Sequence, residues 1–381
     1  MRWSLIVFSI VFLTHFIYSN SKSLEFKYEM GHTNLMISMY IQEPHAYLSC
    51  SIRLNKRYTS LINQTETSFL FNHTISLEKQ RLYKPFQMES TMYELTTPIT
   101  INNIHDIEFH FINFPDNYSF ENYIGLGYSF YNKKLSIVNQ IKEAKGIDYS
   151  SFTFIPNSTN IEVGSFYIGE VSNEYIKGRK SGKCKVNGGL EEWTCNLKYV
   201  YVNGYKYINT DLLEFNTQKI TEVPKEFYDF IKDQILKVED SYSFSADYDD
   251  ICGDIEYVTK MNDTIDFVID NYKYHFLLRD FFKCNNRVCT FQLKTKKTER
   301  SKWVIGYDIL QYYITTFDYE KGEVRLYEIS NKMIFLEKEE VTIDSVNIIQ
   351  LCIIISTVLT FFSFVIIISR DSFFTYISTN K

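Results

Sequence analysis

The sequence predicts a mostly β fold with a few short helices. Stretches in which apolar and polar residues alternate recur along it, at Asn34 to Ile41, Ile99 to Asn102, Ile107 to Phe114, Ser151 to Ile155, Trp193 to Val202, Thr264 to Ile269 and Glu323 to Tyr327. Alternation with a period of two is typical of strands that bury one face. The chain has 30 Tyr, 31 Phe and only 6 Pro, and this composition also favours strands.

Turns and helices complete this pattern. Turn-forming dipeptides separate several of the stretches, at Asn203-Gly204, Asn271-Tyr272 and Lys321-Gly322. Two segments instead show apolar residues at helical spacing, Leu135 to Lys145 and Pro224 to Val238. Gly146 suits a C-terminal cap of the first, and Pro224 suits the first turn of the second.

The two ends of the chain predict a secretory signal and a membrane anchor. Residues 1–19 combine Arg2 with a short apolar run and a small residue, as signal peptides do. Residues 348–369 are about 22 residues without a charge, enough to cross a hydrocarbon core of about 30 Å. Arg370 follows and indicates that the tail, residues 370–381, is cytoplasmic. We therefore expect a single-pass protein of the secretory pathway or the cell surface, with its ectodomain lumenal or extracellular.

Cysteines and glycosylation motifs agree with that location. Six of the seven cysteines precede the predicted span and could pair in an oxidising compartment, although six cysteines allow fifteen pairings. Cys184 and Cys195 flank an Asn-Gly-Gly turn, so we expect a hairpin that lets them form a disulfide. Asn-x-Ser/Thr motifs occur at five predicted lumenal positions: Asn63, Asn72, Asn117, Asn157 and Asn262.

Charge and motif content argue against several other classes of function. The net charge is −6, which disfavours a nucleic-acid partner. The seven histidines show no metal-ligand spacing, and neither a phosphate loop nor a serine-hydrolase motif occurs. We expect no metal and no cofactor.

Several motifs, in order along the chain, resemble one family. The run from Asn122 reads Asn-Tyr-Ile-Gly-Leu-Gly-Tyr, and a glycine-marked hairpin follows at 161–170. The run from Trp193 reads Trp-Thr-Cys-Asn-Leu and ends in Val-Asn-Gly, and the run from Trp303 reads Trp-Val-Ile-Gly-Tyr-Asp, followed by Tyr-Tyr and Phe-Asp. These landmarks are similar to those of pepsin-like aspartic proteases, and the resemblance extends over about residues 34–328.

The resemblance implies a bilobal fold with a cleft between two β-rich lobes. The roughly 320 residues of the ectodomain suffice for two cores. The implied boundaries are an N-terminal lobe at 20–158, a C-terminal lobe at 159–330 and a stalk at 331–347. The resemblance also implies that Cys252 pairs with Cys284 or Cys289, and that Tyr83 supplies the tyrosine of a flap over the cleft.

The catalytic triplets of that family are missing. The sequence contains neither Asp-Thr-Gly nor Asp-Ser-Gly. By resemblance the first triplet falls on Arg53 and the two residues that follow it. Counting back from Pro224 places the second catalytic position at Phe215, or at Glu214 if one residue is inserted. Asp211 and Thr217 lie close by as further cleft candidates.

Three functions remain open at this point. The first is a pseudoprotease that binds an extended peptide or protein ligand in its cleft, with the membrane as its other partner through one transmembrane helix. The second is an active aspartic endopeptidase with a divergent pair of catalytic residues. The third is a structural or adhesive surface glycoprotein.

Overall fold

Three β-sheets make up most of the described chain. A computed structural model describes residues 23–42, 45–56, 59–62, 81–83, 92–114, 122–128, 136–157, 159–160, 162–187, 192–207, 211–238, 242–245, 250–295, 303–329 and 334–336. All of them belong to one compact unit, which ends at Leu336.

The strands, in chain order, are β1 Ser23–Met30, β2 Leu35–Ile41, β3 Ala46–Arg53, β4 Ser60–Ile62, β5 Arg81–Tyr83, β6 Met92–Ile101, β7 Ile104–Phe114, β8 Tyr123–Gly125, β9 Ser151–Pro156, β10 Val163–Gly169, β11 Ser181–Lys185, β12 Thr194–Val202, β13 Tyr205–Tyr207, β14 Asp211–Phe215, β15 Glu222–Val223, β16 Tyr242–Ser245, β17 Asp250–Asp254, β18 Thr264–Ile269, β19 Tyr272–Leu277, β20 Phe282–Asn285, β21 Val288–Phe291, β22 Lys294–Thr295, β23 Trp303–Ile305, β24 Tyr313–Asp318, β25 Glu323–Glu328 and β26 Ile334–Leu336. The helices are α1 Ile137–Glu143, α2 Asn173–Ile176, α3 Lys225–Val238, α4 Ile255–Lys260 and α5 Tyr307–Leu310, with a 3₁₀ helix at Leu278–Phe281.

The largest sheet combines strands from both ends of the described chain. Its order is β11-β25-β24-β9-β10-β1-β2-β3-β8-β4-β7-β6-β5. β1 lies between β10 and β2, and its pairing with β10 places Phe26 opposite Phe166. β24 pairs with β9, with Phe317 opposite Phe152. The middle of this sheet therefore depends on segments that are far apart in sequence.

The other two sheets come from the C-terminal part alone. One has the order β22-β15-β23-β14-β12-β18-β19-β26, with β13 paired to β12. The other has the order β16-β17-β21-β20. Helix α3 packs on the larger of the two, where the ring of Phe227 lies 4.5 Å from that of Trp303.

An aromatic cluster joins the two larger sheets. Trp193 is fully buried, and its ring lies 5.0 Å from that of Phe317, which stacks on Phe152 at 4.8 Å. The indole Nε1 of Trp193 donates to the backbone oxygen of Leu126 at 2.6 Å. Large buried aromatic side chains contribute strongly to core stability, and a buried indole needs an acceptor for its N–H. The cluster therefore fixes the two sheets against each other.

The structure confirms the mostly β fold and both predicted helices. All seven alternating stretches lie in strands or overlap them, and the predicted helices overlap α1 and α3. The Asn203-Gly204 turn has φ values of 51° and 78°, a backbone conformation that asparagine and glycine favour. The next turn lies one residue earlier than predicted, since Asp270 has a φ of 50° and Tyr272 already begins β19.

The disulfides differ in part from expectation. Cys184 and Cys195 are bonded, with their Cα atoms 5.9 Å apart. The expected bond from Cys252 to Cys284 or Cys289 is wrong, because Cys284 and Cys289 are bonded to each other and Cys252 is free. Strand register explains this: Cys284 lies opposite Cys289, whereas Cys252 lies opposite Thr290. Successive residues of a strand face opposite sides of the sheet, so Cys252 and Cys289 point apart.

Both predicted membrane-related segments, 1–19 and 348–369, lie outside the described residues. Within the described part of the chain, no helix has both the length and the apolar character needed to span a membrane.

Candidate functional site

Two strand units with the same arrangement lie in the two larger sheets. β3 runs parallel to β8, and β14 runs parallel to β23. A third strand pairs antiparallel with each, since β4 contacts β8 and β15 contacts β23. The same three-strand unit thus occurs twice in the described chain.

The antiparallel contacts show which residues of the two units correspond. In the first unit Ser60 lies opposite Tyr123, and in the second Glu222 lies opposite Val304. Tyr123 and Val304 are therefore counterparts. The parallel strands can then be compared residue by residue, starting from these two.

This comparison makes Asn216 the counterpart of Arg53. Arg53 lies opposite Gly125, two residues after Tyr123. Phe215 lies opposite Ile305, only one residue after Val304. The next residue, Asn216, therefore corresponds to Arg53. This register differs from both registers that counting along the sequence suggested.

The burial of neighbouring residues supports the same register. Phe215 then corresponds to Ile52, and both side chains are fully buried and apolar. Glu214 corresponds to Ser51, and both are buried polar residues. Phe215 packs in the aromatic core, with its ring 6.1 Å from that of Phe317. It is therefore a core residue and cannot project into a cleft.

A hydroxyl group connects the second unit with the first, and backbone contacts connect it with the start of β2. The buried hydroxyl of Thr217 donates to the backbone oxygen of Ile52, the residue before Arg53. The backbone N–H of Leu35 donates to the oxygen of Thr217 at 3.3 Å, and Asn34 forms a β-bridge with Gln218. These contacts hold the loop that begins at Asn216 against the end of β3.

The side chains at the two corresponding positions have polar partners. Arg53 is half-buried, and its Nε donates to Ser51 Oγ at 3.4 Å. Asn216 is buried, and its Nδ2 donates to Glu214 Oε1 at 3.2 Å while its Oδ1 accepts from the backbone N–H of Gln218 at 3.3 Å. One buried carboxylate, that of Glu214, therefore lies beside the Asn216 amide.

A second set of hydrogen bonds anchors the far end of the same loop. Thr221 donates to the carboxylate of Asp308 from its backbone N–H at 2.9 Å and from its hydroxyl at 2.5 Å. The hydroxyl oxygen also accepts from the backbone N–H of Gly306 at 2.9 Å. Burial raises the pKa of Asp308 to about 6, although the bonds from Thr221 oppose part of that rise. These bonds fix the loop from Asn216 to Thr221 at both ends.

The structure also shows where the other predicted cleft residues lie. Thr217 is part of the site, as described above. Tyr83 ends β5 opposite Met92, and Asp211 begins β14 opposite Leu197, but their side chains lie outside the described structure. Sequence reasoning missed Asn216, although the Asn-Thr pair at 216–217 differs from Asp-Thr only by an amide in place of a carboxylate.

Comparison with models of known protein families gives a match. The family model described as Eukaryotic aspartyl protease matches residues 95–329, which is more than half of the chain. The matched range contains β8 and the whole second three-strand unit, but not β3. No curated protein matches the sequence.

Proposed function

Because the chain belongs to the eukaryotic aspartyl protease family, we propose that it is a pseudoprotease that binds extended peptide or protein segments where its relatives cleave them. The observation that carries this proposal is the presence of Arg53 and Asn216 at corresponding ends of two strand units. In the family, two aspartates share a proton there and activate a water molecule.

Neither replacement side chain can do that chemistry. A guanidinium stays protonated at biological pH and cannot act as a base. A carboxamide has no carboxylate to share a proton, and the Asn216 amide is already hydrogen-bonded on both sides. Asn55 and Gln218 occupy the third positions, where the family motif has glycine. The chemistry of general acid–base catalysis is therefore lost at both positions.

The preserved framework supports a binding role. The strand units and the bond from Thr217 to Ile52 remain, even though the catalytic side chains have been replaced. Extended segments are recognised through backbone hydrogen bonds to strand edges together with pockets for alternate side chains, and this mode requires no catalytic group.

We also propose a single-pass membrane protein of the secretory pathway or cell surface, with its folded part lumenal or extracellular. The apolar runs at 1–19 and 348–369 support this location. The Cys184–Cys195 and Cys284–Cys289 disulfides support it as well, because such bonds persist in oxidising compartments. Protease treatment of sealed microsomes should digest only the tail after Arg370, and digestion of the folded part would contradict this orientation.

The catalytic part of the proposal is tested with the purified ectodomain, residues 20–347. It should not cleave a reduced and alkylated protein from about pH 3 to about pH 7, while an active aspartic protease does so under the same conditions. A hydroxyl-bearing transition-state inhibitor should not bind tightly, since its affinity requires two carboxylates that share a proton. Turnover that is abolished by Glu214→Gln or by Asp211→Asn would establish the active endopeptidase instead.

The binding part is tested with a library of unstructured peptides. The ectodomain should retain a subset of them, and Arg53→Ala should weaken that retention. Lys177→Ala, on an exposed helix end, is the matched control and should leave retention unchanged. If no peptide is retained, or if both variants behave alike, the structural or adhesive role becomes the better account.

A further inference from the structure

The outer face of the thirteen-stranded sheet contains an open depression. Its volume is about 720 Å³, and it is formed by β1, β2, β9 and β10. Half-buried apolar side chains line it (Met36, Ile155 and Val163), together with the hydroxyl-bearing residues Ser38 and Ser165. Asn157, at the end of β9, also contributes to the lining. Lys27 and Glu29 line the depression as well, so the surface combines apolar, hydroxyl and charged groups.

Asn157 is the first residue of an Asn-Ser-Thr sequence. Its side chain is exposed and is held by hydrogen bonds from the same sequence. Its Oδ1 accepts hydrogen bonds from the Thr159 backbone N–H at 2.9 Å and from the Thr159 hydroxyl at 2.8 Å. The Asn160 N–H approaches the same oxygen at 3.4 Å. Across the described part of the chain, the Nδ2 of Asn157 has no hydrogen-bond acceptor.

We propose that Asn157 carries an N-linked glycan whose first sugars lie over this depression. The nitrogen that carries the glycan lies at the edge of the depression. Sugars present apolar C–H faces, which match Met36 and Val163, and hydroxyl edges, which match Ser38. The inference rests on the lumenal location proposed above, and it is independent of the loss of catalysis.

The chemistry of attachment fits this geometry. Nδ2 attacks the anomeric carbon of an oligosaccharide carried on a lipid pyrophosphate. The bond from that carbon to the phosphate oxygen breaks, the lipid pyrophosphate leaves, and Nδ2 loses a proton. Donors on Oδ1 stabilise negative charge on the amide oxygen and so ease that proton loss. The contact with Thr159 spans only two residues, so it can form before the chain folds.

A second exposed motif in the described chain lacks this arrangement. Asn262 also precedes a threonine by two residues, but the Thr264 N–H donates to Asn203 Oδ1 at 2.9 Å. Thr264 is also the first residue of β18, where it pairs with Leu277. Asn262 therefore provides an internal comparison for Asn157.

The first experiment determines occupancy in the full-length chain expressed in eukaryotic cells. Asn157→Gln should remove the mass of one glycan, and so should Thr159→Ala, which leaves the asparagine in place. Asn160→Gln is the matched control in the same loop and should leave the mass unchanged. If a glycosidase lowers the mass of the parent protein and of Asn157→Gln equally, the site is refuted while the lumenal location stands. If the glycosidase has no effect on the parent, both fail.

The second experiment determines where the glycan lies. In a Cys252→Ser background, Ser38→Cys places a thiol at the depression and Lys260→Cys places one on the exposed end of α4. Enzymatic removal of the glycan should raise the rate of Ser38→Cys labelling by a bulky maleimide several-fold and leave the Lys260→Cys rate unchanged. Equal rates at Ser38→Cys before and after removal would show that the glycan extends into solvent, and would overturn the placement.

Discussion

A single hydroxyl group joins the two strand units of the site. Thr217 is fully buried and donates to the backbone oxygen of Ile52. Its counterpart in the first unit is Leu54, which is also fully buried but has no hydroxyl to offer in return. Thr217 of the second unit therefore forms a hydrogen bond to the first unit, whereas the corresponding Leu54 of the first unit contributes only apolar packing.

Thr217→Val should lower the free energy of unfolding by about 1–3 kcal/mol, because it leaves the buried oxygen of Ile52 without this donor while conserving side-chain volume. Urea unfolding of the ectodomain measures the change. Thr217→Ser keeps the hydroxyl and is the control, and it should cost less. Equal losses for the two variants would show that packing, and not the hydrogen bond, is what matters.

Asp308 should make stability depend on pH. Its pKa is about 6 in the folded protein, against roughly 3.9 for an unfolded aspartate. Between these values the folded protein binds more protons than the unfolded chain, so this group's contribution to stability is largest below about pH 4 and falls as the pH rises to about 6.

Asp308→Asn should remove that dependence. Relative to the parent protein, the variant should gain stability steadily from about pH 4 to about pH 6, as measured by urea unfolding at several pH values. Asn160→Gln changes an exposed residue and introduces no titrating group, so it should follow the parent at every pH. A constant difference between Asp308→Asn and the parent would contradict the raised pKa.

The second catalytic position illustrates what sequence reasoning could and could not find here. The landmarks around Pro224 and Trp303 located the right segment, because hydrophobic patterns and turns are local. Counting across the loop from Pro224 then gave Phe215 or Glu214, since loop lengths vary without leaving a local signal. The correspondence between Asn216 and Arg53 becomes visible only when the pairing of β14 with β23 is compared with that of β3 with β8.

At the scale of elements, the two free cysteines of the described chain lie on strands of different sheets and differ in burial. Cys252 is half-buried on β17, with its sulfur 3.9 Å from the hydroxyl of Thr290. Cys50 is fully buried in β3, and burial raises the pKa of its thiol. Since the thiolate is the reactive form, the two free cysteines of the described chain should differ sharply in reactivity.

Alkylation of the native, unreduced ectodomain with iodoacetamide should therefore modify Cys252 first. Peptide mass spectrometry identifies the labelled residue. Cys252→Ser should abolish the early labelling, and Cys50→Ser should leave it unchanged. Early labelling of Cys284 or Cys289 would contradict the disulfide between them.

The resemblance implies a disulfide partner for Cys252, and the reason that this expectation fails is also one of register. Spacing along the chain places all three cysteines within one small region. It does not show which face of a strand each occupies, and a shift of one residue reverses the face. The bond between Cys184 and Cys195 was predictable because only 11 residues separate them. The expected hairpin is wrong, since β11 pairs with β25 in one sheet and β12 pairs with β14 and β18 in another.

At the scale of the molecule, the range that matches the family covers only part of the compact unit that ends at Leu336. A chain of residues 95–329 lacks β1 to β5, although β1 pairs with β10 over seven residues and buries Leu24, Phe26 and Tyr28. Its removal exposes both an apolar surface and a strand edge.

We expect a chain of residues 23–336 to unfold cooperatively in urea, and a chain of residues 95–329 to show no cooperative transition. Near-UV circular dichroism reports the packing of the aromatic cluster around Trp193, and only the longer chain should show a well-defined signal. A cooperative transition in the shorter chain would show that the segment before residue 95 is an addition to an independent core.

The position of β9 has a consequence for how the protein is made. Its two neighbours in the sheet are β10, which follows directly, and β24, which begins more than 150 residues later. At a synthesis rate of about 5–20 residues per second, one edge of β9 stays unpaired for roughly 8 to 30 s. A nascent chain with an open strand edge pairs readily with other chains. Its yield in cells should therefore depend on chaperones that bind the chain before residue 313 has been synthesised.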